Sequence, residues 1–232
     1  MRILAIADVE ERCLWDYYSE QRFADVDLVL SAGDLCVDYL EFLVTVTNKP
    51  LLYVRGNHDD AYAKRAPGGC ICIEDCVYVW HGLRIAGLGG SMRYRDGPNM
   101  YTEREMARRV RRLEPKVRLA GGVDVLLTHA PARGIGDLED LPHQGFECFA
   151  DALGRWQPDY MVHGHVHQGY NPRFERERVL DGGTRVINAC GYQLIEIDED
   201  GYPDRGWKAG LLNADTMRRE QIRLDAHDPF AL

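Results

Sequence analysis

The sequence predicts an α/β fold with mixed sheets, and two observations carry that prediction. Short runs rich in Val, Ile and Leu recur along the 232 residues, and helix-like stretches lie between several of the early ones. At 45% hydrophobic residues the chain can bury a sizeable core. No repeat, low-complexity tract or linker divides it, so residues 1–232 read as one domain.

Residues 3–7 (Ile-Leu-Ala-Ile-Ala) form the first strand, 11–23 a helix, 26–31 a second strand, 37–47 a second helix and 51–54 a third strand. Cys70-Ile71-Cys72 then alternates as a strand does. The spacing of Cys70, Cys72 and Cys76 would otherwise suit a small metal knot, but no matching fourth ligand follows. Residues 83–88 make a further strand. The helix 102–113 opens with Thr102 and with Glu105 three places on, the pattern of a capping box. A strand at 123–128 and a helix at 145–156 precede short strands at 160–162, 186–189 and 194–197.

A net charge of −9 repels polyanions and argues against non-specific nucleic-acid or anionic-membrane binding. The first apolar run is interrupted at Asp8, too soon for a secretory core, and no apolar run is long enough to span a bilayer. Seven scattered cysteines without an export signal read as reduced thiols in a cytoplasmic protein. The arginines between 104 and 118 are interleaved with Glu105 and Glu114 and read as a solvated helix face. Trp15, Trp80, Trp156 and Trp207 read as packing aromatics, and His81 and His227 as surface histidines.

The chemistry lies just past the strands. The first delivers Asp8-Val9-Glu10, the second Gly33-Asp34 and the third Gly56-Asn57-His58-Asp59. The strand at 123–128 delivers His129-Ala130-Pro131, and that at 160–162 delivers His163-Gly164-His165-Val166-His167. In an open α/β sheet the carboxyl ends of strands line the ligand crevice, so these five polar ends can converge. Taken alone, each aspartate would be ordinary turn chemistry. Together they offer oxygen and imidazole nitrogen without thiolate, a set suited to Mn, Fe, Zn and similar ions. Six or more ligands are too many for one catalytic ion and the right number for two sharing a carboxylate, a clamp that suits phosphoryl transfer.

Asp8, Gly33-Asp34, Gly56-Asn57-His58-Asp59, Thr128-His129-Ala130-Pro131 and Gly164-His165-Val166-His167 resemble the ordered motifs of the calcineurin-like metallophosphoesterases. The stretches 129–137, 145–147 and 164–170 are similar to the small stand-alone branch of that family. The resemblance implies a four-layer α/β/β/α sandwich of two mixed sheets, with two divalent ions between loops at one edge. Mn is the expected ion, with Fe, Zn, Co or Ni as alternatives. It implies Asp8 and His167 on the first ion, Asn57, His129 and His165 on the second, and Asp34 bridging both. A hydroxide shared by the ions would attack phosphorus, and His58 would protonate the leaving oxygen.

The chain departs from that pattern twice. The usual Asp-x-His is Asp8-Val9-Glu10, so Glu10 would bring a third carboxylate to the metals, directly or through a water, and favour harder ions. Three places after Asp34 the usual acid is Val37, with Asp38 one later, so the acid that the pattern sets beside His58 has no counterpart at that place. Arg93 and Tyr94, after Gly89-Gly90, belong to a surface turn or meet a substrate's phosphate and its base or sugar, and His143 is a polar helix-start residue or a substrate contact. The expected function is hydrolysis of a small phosphodiester, with no polymer or membrane partner and with homo-oligomerisation left open. The alternative is the same fold used as a binding or scaffold protein with weak or no catalysis.

Overall fold

The first strand, β1 (Arg2–Ala7), is apolar on both faces because it lies between two layers: Ile3, Ala5 and Ala7 enter one apolar cluster, Leu4 and Ile6 another. The computed structural model describes residues 1–170 and 174–225, and His227 lies outside them. After β1 come α1 (Glu20–Phe23), β2 (Leu28–Ser31), α2 (Val37–Thr47), β3 (Leu51–Tyr53), β4 (Ile71–Cys72), β5 (Val77–Trp80) and β6 (Leu83–Leu88). Next are β7 (Ser91–Met92), β8 (Met100–Tyr101), α3 (Glu103–Ala120), β9 (Val125–Thr128), α4 (Glu147–Trp156) and β10 (Tyr160–His163). The last are β11 (Glu177–Val179), β12 (Arg185–Asn188), β13 (Gly191–Glu196) and α5 (Trp207–Asp225).

One sheet has the order β13-β1-β2-β3-β4 and is antiparallel only between β1 and β13. The other has the order β11-β12-β10-β9-β6-β5 and is antiparallel only at its two outer pairs. Ile3, Leu30 and Leu52 meet Ile85, Leu127 and Val162 between the sheets. Leu40 and Leu43 of α2 cover the outer face of the first sheet, and Val110, Leu113 and Phe149 of α3 and α4 cover that of the second. This is the expected α/β/β/α arrangement. Because β1, β2 and β3 are parallel, as are β9 and β10, the loops after them leave from carboxyl ends.

Several elements differ from the sequence expectation. Of residues 11–23 only Glu20–Phe23 is helical. Trp15 packs on Tyr39 and Phe42, and Tyr18 on Phe23 and Phe42, so aromatic docking onto α2 decides the path, and Ser19 stays extended. Helix α3 runs past 113 and through Pro115, because Leu113, Val117 and Ala120 continue its buried face, and stops at Gly121 in the left-handed region. On that helix Arg109 is 8% exposed, so the arginines are not one solvated face. Cys70, Cys72 and Cys76 are buried free thiols, as a strand reading implies. His81 is exposed as expected, but Trp207 is 72% exposed and packs on little.

Helix α5 has no counterpart in the sequence expectation, since two of its three buried residues, Thr216 and Glu220, are polar and only Leu212 is apolar. It caps the open edges of both sheets. The Asn213 amide donates to the Val79 carbonyl and accepts from the Val79 N–H, both at 2.8 Å, as a neighbouring strand would. Glu220 Oε2 accepts the edge N–H of Cys72 at 3.3 Å.

The capping box is present: Thr102 Oγ1 accepts the Glu105 N–H, and Glu105 Oε2 accepts the Thr102 N–H at 2.8 Å. Thr102→Ala is therefore expected to cost about 1 kcal/mol of stability, read as a lower urea midpoint at unchanged slope.

Candidate metal centre

Three of the side chains at the sheet edge stand on backbone in the left-handed region: Asp8 at φ 64°, Asp34 at φ 57° and His165 at φ 72°. Non-glycine residues adopt that region at a cost, and such strain gathers where side-chain direction matters more than backbone comfort. Each residue sits just past a strand, where the ladder ends and the chain must reverse. The Asp8 N–H donates to the Gly33 carbonyl at 3.1 Å, and both Asp8 carboxylate oxygens accept the His165 N–H, at 3.0 and 2.9 Å. Gly56 and Gly164 permit this crowding. A Cβ at 56 would fall 2.0 Å from Asp34 Oδ1, and one at 164 would fall 2.5 Å from Asp8 Oδ2.

The tautomers of two imidazoles follow from their outer partners. His129 Nδ1 lies 2.8 Å from the Ala32 carbonyl and His165 Nε2 lies 2.7 Å from the Pro142 carbonyl, so both of these nitrogens carry the proton and donate it. His129 Nε2 and His165 Nδ1 are then lone pairs in the neutral rings, yet they are 3.1 Å apart. Asn57 Oδ1 is 2.9 Å and Asp34 Oδ2 3.4 Å from the same His129 Nε2. Four acceptors facing one another with no hydrogen between them require a cation, either a proton on His129 or a metal ion. Among the described residues, Asp34, His129 and His165 form a cluster whose ligand atoms all lie within 4.8 Å. The donor set therefore fits a divalent ion of borderline hardness.

Beside this cluster, His167 Nε2 is 3.9 Å from Asp8 Oδ1, so residues 159 positions apart face each other across the two sheets. His58 is exposed, and its N–H donates to Asp34 Oδ1 at 2.7 Å. The Tyr94 hydroxyl lies 3.5 Å from Asn57 Nδ2. Arg93 faces away, to Glu105 at 2.9 Å and the Met100 carbonyl. Glu10 Oε1 accepts the Cys36 N–H at 2.9 Å, at the start of α2, rather than joining the histidines. Asp38 is paired with exposed Arg65 at 2.7 Å and does not support His58. His143 bonds Asp140 at 2.6 Å and packs its ring near those of His165 and Tyr170.

Sequence reasoning assigned no role to Asp59, which is buried and accepts from the backbone N–H groups of Asp34 at 2.8 Å and Gly56 at 2.7 Å. One carboxylate thus ties the second and third loops together. Its position directly after Asn57-His58 was the available signal.

Burial pushes the Asp8 and Asp59 carboxyls up to about 7, with the Asp34 charge adding to both. Burial alone would lower His129, but Asp34, Asp8 and Asp59 raise it overall, whereas burial and then His129 hold His165 well below its ordinary value. A divalent ion held by Asp8 and His129 would compete there with protons, which the burial of Asp8 and the carboxylates around His129 favour. Uptake is therefore expected to release protons and to weaken as pH falls below about 7, by up to about tenfold per pH unit per proton. Calorimetry in two buffers of different ionisation heat checks this; identical heats in both would contradict it.

Comparison with known proteins agrees with this architecture. A segment of 74 residues is 38% identical to a UPF0046 protein of Caenorhabditis elegans, covering 31% of this chain and 17% of that one. The solved TT1561 protein of Thermus thermophilus superposes at a TM-score of 0.58 with 16% identity, over 87% of this chain and 95% of that one. Another solved structure superposes at 0.59, also at 16% identity, over 84% of this chain and 94% of its own. The calcineurin-like phosphoesterase superfamily domain matches residues 1–193, taking in β1 through β12 and every residue of the cluster, and the chain belongs to that superfamily.

Proposed function

We propose that the chain hydrolyses a small phosphodiester with two divalent ions bound at this sheet edge, Mn expected first and Fe, Zn, Co or Ni as alternatives. The observation that carries this reading is the meeting of lone pairs from His129, His165, Asn57 and Asp34, with both imidazole tautomers set by backbone carbonyls. Asp8 and His167 would hold one ion, Asn57, His129 and His165 the other, and Asp34 both, while Glu10 would reach the first ion, directly or through a water, only by releasing the Cys36 N–H. Bound ions would supply Lewis acidity toward a phosphoryl oxygen and an acidified water.

The chain's own residues supply orientation and a proton. His58 lies on a cleft of about 440 Å³ that Glu10, Asp34 and Tyr62 also line, where its imidazole would face an ester bound beside Asp34. Its N–H bond to Asp34 fixes its backbone beside the metal ligands, where it would protonate the leaving oxygen. Tyr94, beside Asn57, would contact the substrate, and Arg93 would reach a phosphate only by releasing Glu105. The net charge of −9 supports a small substrate over a nucleic-acid polymer. Among the described residues no helix is long and apolar enough to cross a membrane.

Turnover of bis-p-nitrophenyl phosphate by the purified chain, with Mn, Co, Ni, Zn and Mg in turn, tests the reading. Metal-dependent hydrolysis that a chelator abolishes is expected, faster than on p-nitrophenyl phosphate. A fully metal-loaded protein without turnover on either ester would instead assign the fold to binding or scaffolding.

A further inference from the structure

A buried charge network lies behind the loop that carries Asn57 and His58. Glu74, 7% exposed, accepts from Arg55 Nε at 3.2 Å and Nη2 at 2.5 Å through one oxygen, and from the Arg55 backbone N–H at 3.0 Å through the other. Arg109 of α3 brings Nη2 to 3.9 Å from the same carboxylate. It also donates Nε to Asp75 at 2.9 Å and Nη1 to the Gly89 carbonyl at 2.6 Å, with its guanidinium 4.5 Å over the Tyr101 ring. Gly90, the next residue, donates its N–H to the Arg55 carbonyl at 2.7 Å. Both backbone polar groups of Arg55 are thus fixed, one residue before Gly56-Asn57-His58. Burial would raise the Glu74 carboxyl, but Arg55 and then Arg109 bring it down to about 2, so the network stays ionised.

Buried ions are a weak source of stability, since apolar side chains of equal volume hold an interface as well. What planar guanidinium–carboxylate pairs add is direction. That direction runs from α3 through Glu74 and Gly89-Gly90 to Arg55, and on to Asn57 Oδ1, 2.9 Å from His129, and the His58 N–H, 2.7 Å from Asp34. The geometry points to Arg109, Glu74 and Arg55 as a positioning relay that sets how Asn57 and His58 face His129 and Asp34. This assignment rests on the metal-centre reading above.

Co²⁺ titration of the full chain, followed by visible absorption, tests it without relying on turnover. Glu74→Gln removes the charge but keeps the shape, Arg109→Lys keeps the charge but removes the planar fork, and Arg108→Lys, exposed on the same helix, is the control. The first two are expected to weaken Co²⁺ binding about 10- to 100-fold and to shift its bands, and the control to do neither. In an Asn57→Ala background the same substitutions are expected to cost no further affinity. If Glu74→Gln does not fold, Arg109→Lys is read by itself. Variants that melt earlier yet bind Co²⁺ within twofold of wild type, with unshifted bands, would overturn the relay and leave a structural role. A wild type that takes up no Co²⁺ would overturn the metal reading and the relay with it.

Discussion

Asp34→Ala is expected to take both divalent ions off the protein and to lower turnover by more than about 10³-fold, because several kcal/mol of charge stabilisation depend on them. Asp34 joins the Asn57-His58 loop to His129. One oxygen lies 3.4 Å from His129 Nε2 and the other accepts the His58 N–H, while its own N–H is held by Asp59. His129→Ala, by contrast, is expected to empty only the ion that Asn57 and His165 would hold. Since position 34 stands at φ 57°, alanine adds backbone strain that asparagine tolerates better. Asp34→Asn therefore separates lost charge from lost conformation, and it too is expected to lose both ions. Metal analysis after gel filtration reads the difference. Retention of one equivalent by both Asp34 variants would contradict a shared carboxylate.

His58→Ala is expected to keep both ions yet lose about 10²- to 10⁴-fold in rate on alkyl phosphodiesters, and far less on nitrophenyl esters, whose leaving group departs without a proton. The side chain is exposed and its anchor is a backbone bond to Asp34, so removing the ring leaves the metal loops in place. Rates on the two ester types, measured at matched metal content, decide its role. Equal losses on both would make His58 a binding or structural residue.

The features legible in the sequence are those written in local periodicity. The apolar runs at 3–7 and 83–88 and the helix at 37–47 lie where the pattern predicts them, and the polar residues just past the strands reach one edge because parallel strands share their carboxyl ends. The parts that were not legible depend on partners distant in sequence. The tautomer of His129 is set by a carbonyl 97 residues away, and that of His165 by one 23 residues away. Residues 11–23 carry a helix-like pattern, but Trp15 and Tyr18 gain more by stacking on α2 than by continuing a helix. Arg109 is one arginine among many until the fold buries it against Glu74 and Asp75. Helix α5 escaped because its contacts to the sheet edges are made by Asn213 and Glu220, which no hydrophobic period marks.

The most direct test of the central claim is anomalous diffraction from crystals grown with Zn²⁺. Two strong peaks are expected. One should lie about 2.1 Å from His129 Nε2 and His165 Nδ1, and the other beside Asp8 and His167, with an Asp34 oxygen within bonding distance of both. A single peak, or peaks away from Asp34, would contradict a two-ion centre at this edge.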